Sequence, residues 1–225
     1  MHRCLLLLTL LMLGCVTDVN LSGEPKSDQR QRAEARVNLG IRYMEQDNMV
    51  KARENLEQAI EHDPNYYRAQ LSLAHYYERV EEYGLADRYY RLALQQAPNK
   101  GTVLNNYGAY LCKRGEFEAA DHYFNQAIEK QDYYLTSASY ENAALCAVKA
   151  KAPDKAIAYF KRALDYEPYR PRSMLSLAKL ELQIGKYDDA RNRLLLFQNR
   201  YGKQKAALLL LDELERKATV TGNTP

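Results

Sequence analysis

Small and apolar residues recur at a fixed interval from about residue 33 onward. The clearest marker is an alanine followed twelve residues later by a proline. It occurs three times, as Ala52 with Pro64, Ala86 with Pro98 and Ala156 with Pro168. Because proline cannot continue a helical hydrogen-bond ladder, each proline marks the end of a helix. The first two markers stand 34 residues apart, which predicts repeated helical units of that length.

Each unit also carries a small residue in both of its predicted helices. In the first helix these residues are Gly40, Ala74, Gly108, Ala144 and Ala178, and in the second they are Ala52, Ala86, Ala120, Ala156 and Ala190. A small side chain at these places lets two backbones approach where the helices cross. The period and these positions are typical of tetratricopeptide repeats (TPRs), helix hairpins that stack because one hairpin cannot bury its apolar face alone. The predicted fold class is all-α, a TPR superhelix of antiparallel hairpins.

The repeat is irregular in its second half. The third unit has no closing proline, and an insertion of two residues in 133–139 makes the fourth unit start 36 residues after the third. In the fifth unit Phe197 replaces a small residue and Glu181 an apolar one. A final helix over 203–217 is either a capping helix or the remnant of a sixth unit. We therefore predict about five repeats in a domain spanning 32–218, followed by a disordered tail over 219–225.

The N-terminus has the pattern of an export signal. A basic start is followed by an apolar run from Leu5 to Leu13, which is too short for the roughly 20 residues that span a bilayer. Gly14 directly before Cys15 resembles a bacterial lipoprotein signal, which implies cleavage of residues 1–14 and acylation of Cys15. An ordinary signal peptide would need a small-x-small cleavage site, which is missing near Cys15. Val16, where Asp would favour inner-membrane retention, indicates the outer membrane, and the polar residues 15–31 are predicted to be a flexible tether.

Several function classes find no support in the residues. The formal net charge of +3 gives no case for nucleic-acid binding or for broad binding to a membrane surface. The four histidines are scattered without metal-ligand spacing, and no phosphate-binding loop or hydrolase motif is present. We therefore predict a monomeric protein-binding chain that is not an enzyme and uses no cofactor or metal, with the membrane contacted only through the lipid.

Two cysteines remain in the repeat region, Cys112 and Cys146. Each lies near the end of a first helix, in the third and fourth units, and first helices of consecutive TPR units pack side by side. In an oxidising compartment we predict that the two form a disulfide. Two buried free thiols and a metal site are the alternatives that the residues leave open.

The first helices line the concave side of a TPR array, so the repeat register predicts which residues face a partner. The predicted groove residues are Val37, Asn38, Ile41, Leu71, His75, Arg79, Asn105, Asn106, Lys113, Glu141, Asn142 and Leu145. Three of the asparagines (38, 106 and 142) share one repeat position, where they could hold a peptide backbone or bridge adjacent helices. Arg79, Lys113, Lys149 and Lys179 give the predicted groove a basic rim. Its ligand would be a protein segment with apolar anchors and acidic flanks.

One block of sequence is more specific than the general repeat. Residues 104–112 read L-N-N-Y-G-A-Y-L-C and residues 140–146 read Y-E-N-A-A-L-C, behind the lipoprotein-like signal. This combination resembles the type IV pilus biogenesis lipoproteins of the PilW/PilF family across the whole mature chain. The resemblance implies an outer-membrane pilotin on the periplasmic face, which binds secretin subunits and promotes their localisation and assembly. A TPR lipoprotein that serves β-barrel insertion or cell-wall synthesis is the main alternative, and an adaptor of an enzyme complex is another.

Overall fold

The computed structural model describes residues 25–130 and 133–220. Within these ranges the chain forms eleven helices and no strand. They are α1 (Lys26–Glu45), α2 (Met49–His62), α3 (Tyr67–Arg79), α4 (Tyr83–Gln96), α5 (Gly101–Lys113), α6 (Phe117–Ile128), α7 (Thr136–Lys149), α8 (Pro153–Tyr166), α9 (Pro171–Gln183), α10 (Tyr187–Tyr201) and α11 (Lys205–Val220). The predicted all-α class is confirmed.

The helices form five hairpins, α1–α2 to α9–α10, and α11 packs against the last of them. The odd-numbered helices, which we call the first helices, also contact one another across units, as α1 does with α3 and α3 with α5. Each even-numbered helix, which we call a second helix, packs against the first helix of its own unit and against the helix that follows it. This is the stacking that the repeat period predicts, and it leaves one face of the first helices as a shared surface.

The close crossings of the hairpins depend on small residues. A Cβ atom added to Gly40 would stand 2.6 Å from Leu56 Cδ2, and one added to Gly108 would stand 3.1 Å from the Ala120 carbonyl oxygen. The alanines at the corresponding positions of the second helices are fully buried. The small residues therefore allow the close helix crossings that the repeat pattern predicts.

Two glycines give a direct test of this packing. Gly84 lies near the start of α4 with nothing within 4 Å of an added Cβ, so Gly84→Ala should raise the free energy of unfolding by about 0.5 kcal/mol. Gly108→Ala should lower it by about 1 kcal/mol, because the Ala120 carbonyl belongs to a packed helix and cannot move cheaply. Urea denaturation of both variants measures the difference. Equal stabilisation by the two changes would contradict the crossing argument.

The two-residue insertion has a packing role. Tyr133 is buried against Gly101 at the start of α5, where an added Cβ would overlap the tyrosine ring. Its Oη lies 3.2 Å from Ser139 Oγ, and Ser139 in turn donates to Asn105 Oδ1 at 2.9 Å. Tyr133 and Ser139 are thereby held against α5, and the neighbouring Tyr134 side chain is left 86% exposed.

The domain boundaries differ from the prediction at both ends. Helix α1 begins at Lys26, inside the range 15–31 predicted as tether, and α11 continues to Val220, inside the predicted tail. The early start of α1 has a tertiary cause, because Arg30 pairs with Asp63 and its guanidinium lies 4.4 Å from the centre of the Tyr66 ring. The predicted signal segment 1–14, Cys15 and the last residues of the tail lie outside the described residues.

The fifth unit forms a complete hairpin despite its unusual residues. Glu181 is buried and accepts two hydrogen bonds from Arg193, at 2.9 Å from Nε and 2.8 Å from Nη2. Phe197 lies in one apolar cluster with Met174 and with Ala207 of α11. The large ring therefore fills space between the fifth unit and the final helix, which caps the array.

Candidate partner-binding groove

Three cavities lie along the shared face of the first helices. The first cavity, of about 560 Å³, is bounded by α3, α5 and the connection before α7. The middle cavity, of about 440 Å³, is bounded by α1, α3 and α5, and the third, of about 180 Å³, by α5, α6, α7 and α9. His75 lines both the first and the middle cavity, and Lys113 lines both the middle and the third. The cavities are therefore adjacent parts of one surface, which we call the groove.

Most of the predicted groove residues reach these cavities. Those that line them are Ile41, Leu71, His75, Arg79, Asn106, Lys113, Asn142 and Leu145. Asn38 is exposed on α1 but lines none of the three. The side chains that the sequence did not single out include Tyr67 and Tyr134 in the first cavity and Arg172 in the third. In the sequence, the two adjacent tyrosines Tyr133 and Tyr134 were the feature that could have indicated an aromatic side of the first cavity.

Four predicted groove residues are buried, and for the three of them that line none of the cavities the assignment was wrong. Val37 is 0% exposed within an apolar cluster that contains Ala69 of α3. Asn105 is buried beneath Ser139, and Glu141 accepts a hydrogen bond from Ser173 Oγ at 2.7 Å and pairs with Arg170 at 3.0 Å. All three share one repeat position, at which the neighbouring first helix covers the side chain. Leu71 shares that position, and only part of its side chain reaches the first cavity.

The asparagines at the shared repeat position have different roles. Asn142 Nδ2 donates to Asn105 Oδ1 at 3.1 Å, so this residue bridges α7 and α5. Asn106 is partly exposed in the first cavity, and its side chain makes no hydrogen bond to the described part of the chain. The bridging interpretation therefore fits Asn142, and Asn106 keeps the donors and the acceptor that a peptide backbone would need.

A polar network lies between the first and middle cavities. Tyr90 Oη donates to Glu78 Oε2 at 2.8 Å and lies 3.0 Å from His75 Nδ1, while Glu78 also pairs with Lys113. Since the tyrosine proton goes to the carboxylate, His75 Nδ1 carries a proton that it donates to Tyr90, and its Nε2 is left as an acceptor. Burial lowers the pKa of His75, and burial beside Glu78 raises the pKa of Tyr90. Sequence reasoning missed this network, although the three-residue spacing of His75 and Glu78 places both on one helix face.

Two of the four cations in the predicted basic rim, Arg79 and Lys113, are neutralised within the chain. Arg79 pairs with Asp47 at 3.0 Å and donates to the Met44 carbonyl at 2.7 Å, and Lys113 pairs with Glu78. Lys149 and Lys179 make no ion pair with any described residue. The groove therefore has neutralised cations in its N-terminal half and unneutralised ones in its C-terminal half.

A disulfide lies at the third cavity. Cys112 and Cys146 are joined in the structure, with their Cα atoms 5.8 Å apart and a separation of 34 positions in sequence. The bond connects α5 to α7, as the repeat register predicts, and both residues line the cavity. Among the described residues no cluster of His, Cys, Asp or Glu could hold a metal ion. None of the described helices combines the length and apolar character needed to cross a membrane.

Comparison with known proteins agrees with the helical architecture. TPR family models match residues 33–66, 100–167 and 147–214. An uncharacterised protein of Haemophilus influenzae is 38% identical over 122 residues, which are 54% of this chain and 68% of that protein. The type IV pilus assembly protein PilF of Pseudomonas aeruginosa is 32% identical over 207 residues, which are 91% of this chain and 81% of that protein.

Two solved structures extend the similarity to the fold. The structure of P. aeruginosa PilF superposes with a TM-score of 0.77 at 30% identity, covering 87% of each chain. The structure of PilW, described as a widely conserved type IV pilus biogenesis factor, gives a TM-score of 0.74 at 28% identity. It covers 86% of this chain and 88% of that one. The likeness therefore includes nearly the whole repeat array.

Proposed function

Because this chain belongs to the PilF/PilW family of type IV pilus assembly proteins, we propose that it is a pilotin that binds secretin subunits and promotes their assembly. The observation that carries the proposal is the groove. Three adjacent cavities on the first helices combine apolar surface from Ile41, Leu71 and Leu145 with the Asn106 side chain, whose donors and acceptor no described residue uses. TPR arrays bind protein segments on this face.

The proposed mechanism is passive. A lipid on Cys15 would carry the chain to the outer membrane, facing the periplasm, and the groove would hold a secretin segment. Having both functions on one chain raises the effective concentration of secretin at the membrane. The mechanism requires no reaction, cofactor or nucleotide, in keeping with the absence of a catalytic motif from the sequence.

The binding part of the proposal is tested by capture from outer-membrane extracts with mass spectrometry. Wild-type protein should recover a secretin, and Asn106→Arg should reduce that recovery at least about fivefold by filling the first cavity with a charged side chain. Gln95→Arg, which adds the same charge to the exposed side of α4, is the matched control and should recover as much secretin as wild type. Recovery of β-barrel assembly or cell-wall proteins without secretin would favour the alternative, a scaffold for another envelope process.

The anchor is tested separately. Cys15→Ala should mislocalise secretin in cells and leave its capture in extracts unchanged, because the groove is intact. Fractionation of the membranes and detection of secretin multimers measure the first effect. Normal secretin multimers at the outer membrane in this variant would refute the anchoring role.

A further inference from the structure

We propose that the C-terminal half of the groove binds an acidic stretch of the partner polypeptide. This inference rests on the proposed function, because it takes the ligand to be a protein segment held on the first helices. Besides Lys113, which pairs with Glu78, this half of the groove has three cations, Lys149 at the end of α7 and Arg172 and Lys179 on α9. All three side chains are exposed, and none makes an ion pair with a described residue.

The contrast with the N-terminal half shows that this charge is not a general property of the array. There, Arg68 pairs with Glu34, Arg79 with Asp47, and Lys113 with Glu78. Each of these acids belongs to the unit before its cation, so each cation is neutralised by the preceding repeat. The fourth and fifth units break this rule on the groove face.

The acids near the C-terminal half are engaged elsewhere. Glu141 is buried and held by Ser173 and Arg170, and Glu181 is buried and held by Arg193. No carboxylate lines the third cavity, whereas Glu45 and Glu78 both line the middle one. The positive potential at this end is therefore left for a ligand to neutralise.

The surface between the cations is apolar. Leu145, Ala109 and Phe124 line the third cavity together with the disulfide, and Lys149 and Arg172 line the same cavity. An apolar side chain can lie in this cavity while acidic neighbours on the same segment reach the cations. The geometry therefore fits a segment in which an apolar anchor is flanked by Asp or Glu.

An anionic membrane surface would also attract cations, but the placement favours a polypeptide. The three residues are on the first helices and two of them line a cavity, whereas a flat lipid surface contacts protruding side chains and does not fill a cavity. Lipid binding is therefore treated as a competing outcome of the experiment.

The experiment compares two triple charge reversals in the mature chain carrying Cys15→Ser. The groove variant is Lys149→Glu, Arg172→Glu and Lys179→Glu. The matched control is Arg88→Glu, Lys161→Glu and Lys186→Glu, which reverses three exposed cations on or next to second helices that likewise make no ion pair with a described residue. Circular dichroism melts establish that both variants remain folded.

Binding is measured by fluorescence anisotropy with a short labelled peptide in which one Leu is flanked on both sides by Asp and Glu. The groove variant should raise the Kd of this peptide about tenfold or more, and the control should raise it less than about threefold, because only close charges contribute strongly at physiological ionic strength. The same peptide with Asn and Gln in place of the acids should bind wild type weakly and be insensitive to the groove reversal. Phosphatidylglycerol vesicles should bind both variants equally.

Three results of the peptide and vesicle measurements would overturn the inference. They are unchanged peptide affinity in the groove variant, equal weakening in both variants, and selective loss of vesicle binding by the groove variant with peptide affinity retained.

Secretin capture separates this inference from the proposed function. Capture of secretin equally by wild type and the groove variant would keep the proposed function and reject the acidic-segment site. Charge-dependent peptide binding without any secretin capture would keep the site and reject the pilotin role.

Discussion

Arg193→Ala should lower the free energy of unfolding by about 3–5 kcal/mol, because it leaves a buried carboxylate without its cation. Glu181 is 1% exposed, and Arg193 provides the two hydrogen bonds of 2.9 and 2.8 Å to its oxygens. No other described cation pairs with that carboxylate. Urea denaturation followed by circular dichroism measures the loss.

Two further variants separate charge burial from the loss of a surface arginine. Arg191→Ala, on the same helix and without an ion pair to a described residue, should change the unfolding free energy by less than about 0.5 kcal/mol. Glu181→Leu combined with Arg193→Leu should restore stability to near the wild-type value, because apolar residues often replace a buried pair without loss. A small effect of Arg193→Ala alone would show that the carboxylate is not held by this partner.

Reduction of the disulfide should lower the free energy of unfolding by about 2–4 kcal/mol, through the entropy gained by an unfolded chain that loses this cross-link. The bond joins residues 34 apart in sequence and connects the third unit to the fourth. Urea denaturation of the mature chain carrying Cys15→Ser, with and without dithiothreitol, measures the difference.

The control for this effect is Cys112→Ala combined with Cys146→Ala. This variant should be about as unstable as the reduced wild type and should not respond to dithiothreitol, since both thiols are absent. A wild-type midpoint that is the same with and without reductant would mean that the bond contributes no stability. A variant that still responded would place the reductant effect elsewhere in the chain.

The repeat pattern was sufficient to predict the hairpins, because helix crossings impose a steric rule that is visible residue by residue. Gly40 and Gly108 stand where a side chain would collide with the opposite helix, so their spacing predicts where the two helices of each hairpin cross. The same reasoning paired Cys112 with Cys146, since adjacent first helices bring equivalent positions together. These predictions depend only on local geometry repeated along the chain.

Predictions about which side chains face the groove were less accurate, for a different physical reason. Val37, Asn105 and Glu141 lie at one repeat position, and the angle between neighbouring first helices decides whether that position is covered. The repeat period of the sequence gives no information about that angle. The ion pairs could not be predicted from the sequence either, because Arg79 and Lys113 reach acids of the preceding unit through flexible side chains. The distinction between neutralised and unneutralised cations therefore came from the structure alone.

The order of contacts along the array has a consequence for how the chain acquires its structure. The principal contacts of each helix are with helices one or two places away, as in α1 with α3 or α9 with α11. Proteins dominated by such short-range contacts have low contact order and fold rapidly, and repeat arrays can nucleate at any unit and propagate. A hairpin can thus form as soon as its own residues are available, without waiting for the other end of the chain. The cross-link between α5 and α7 needs only two adjacent units, so it can close before the C-terminal repeats are folded.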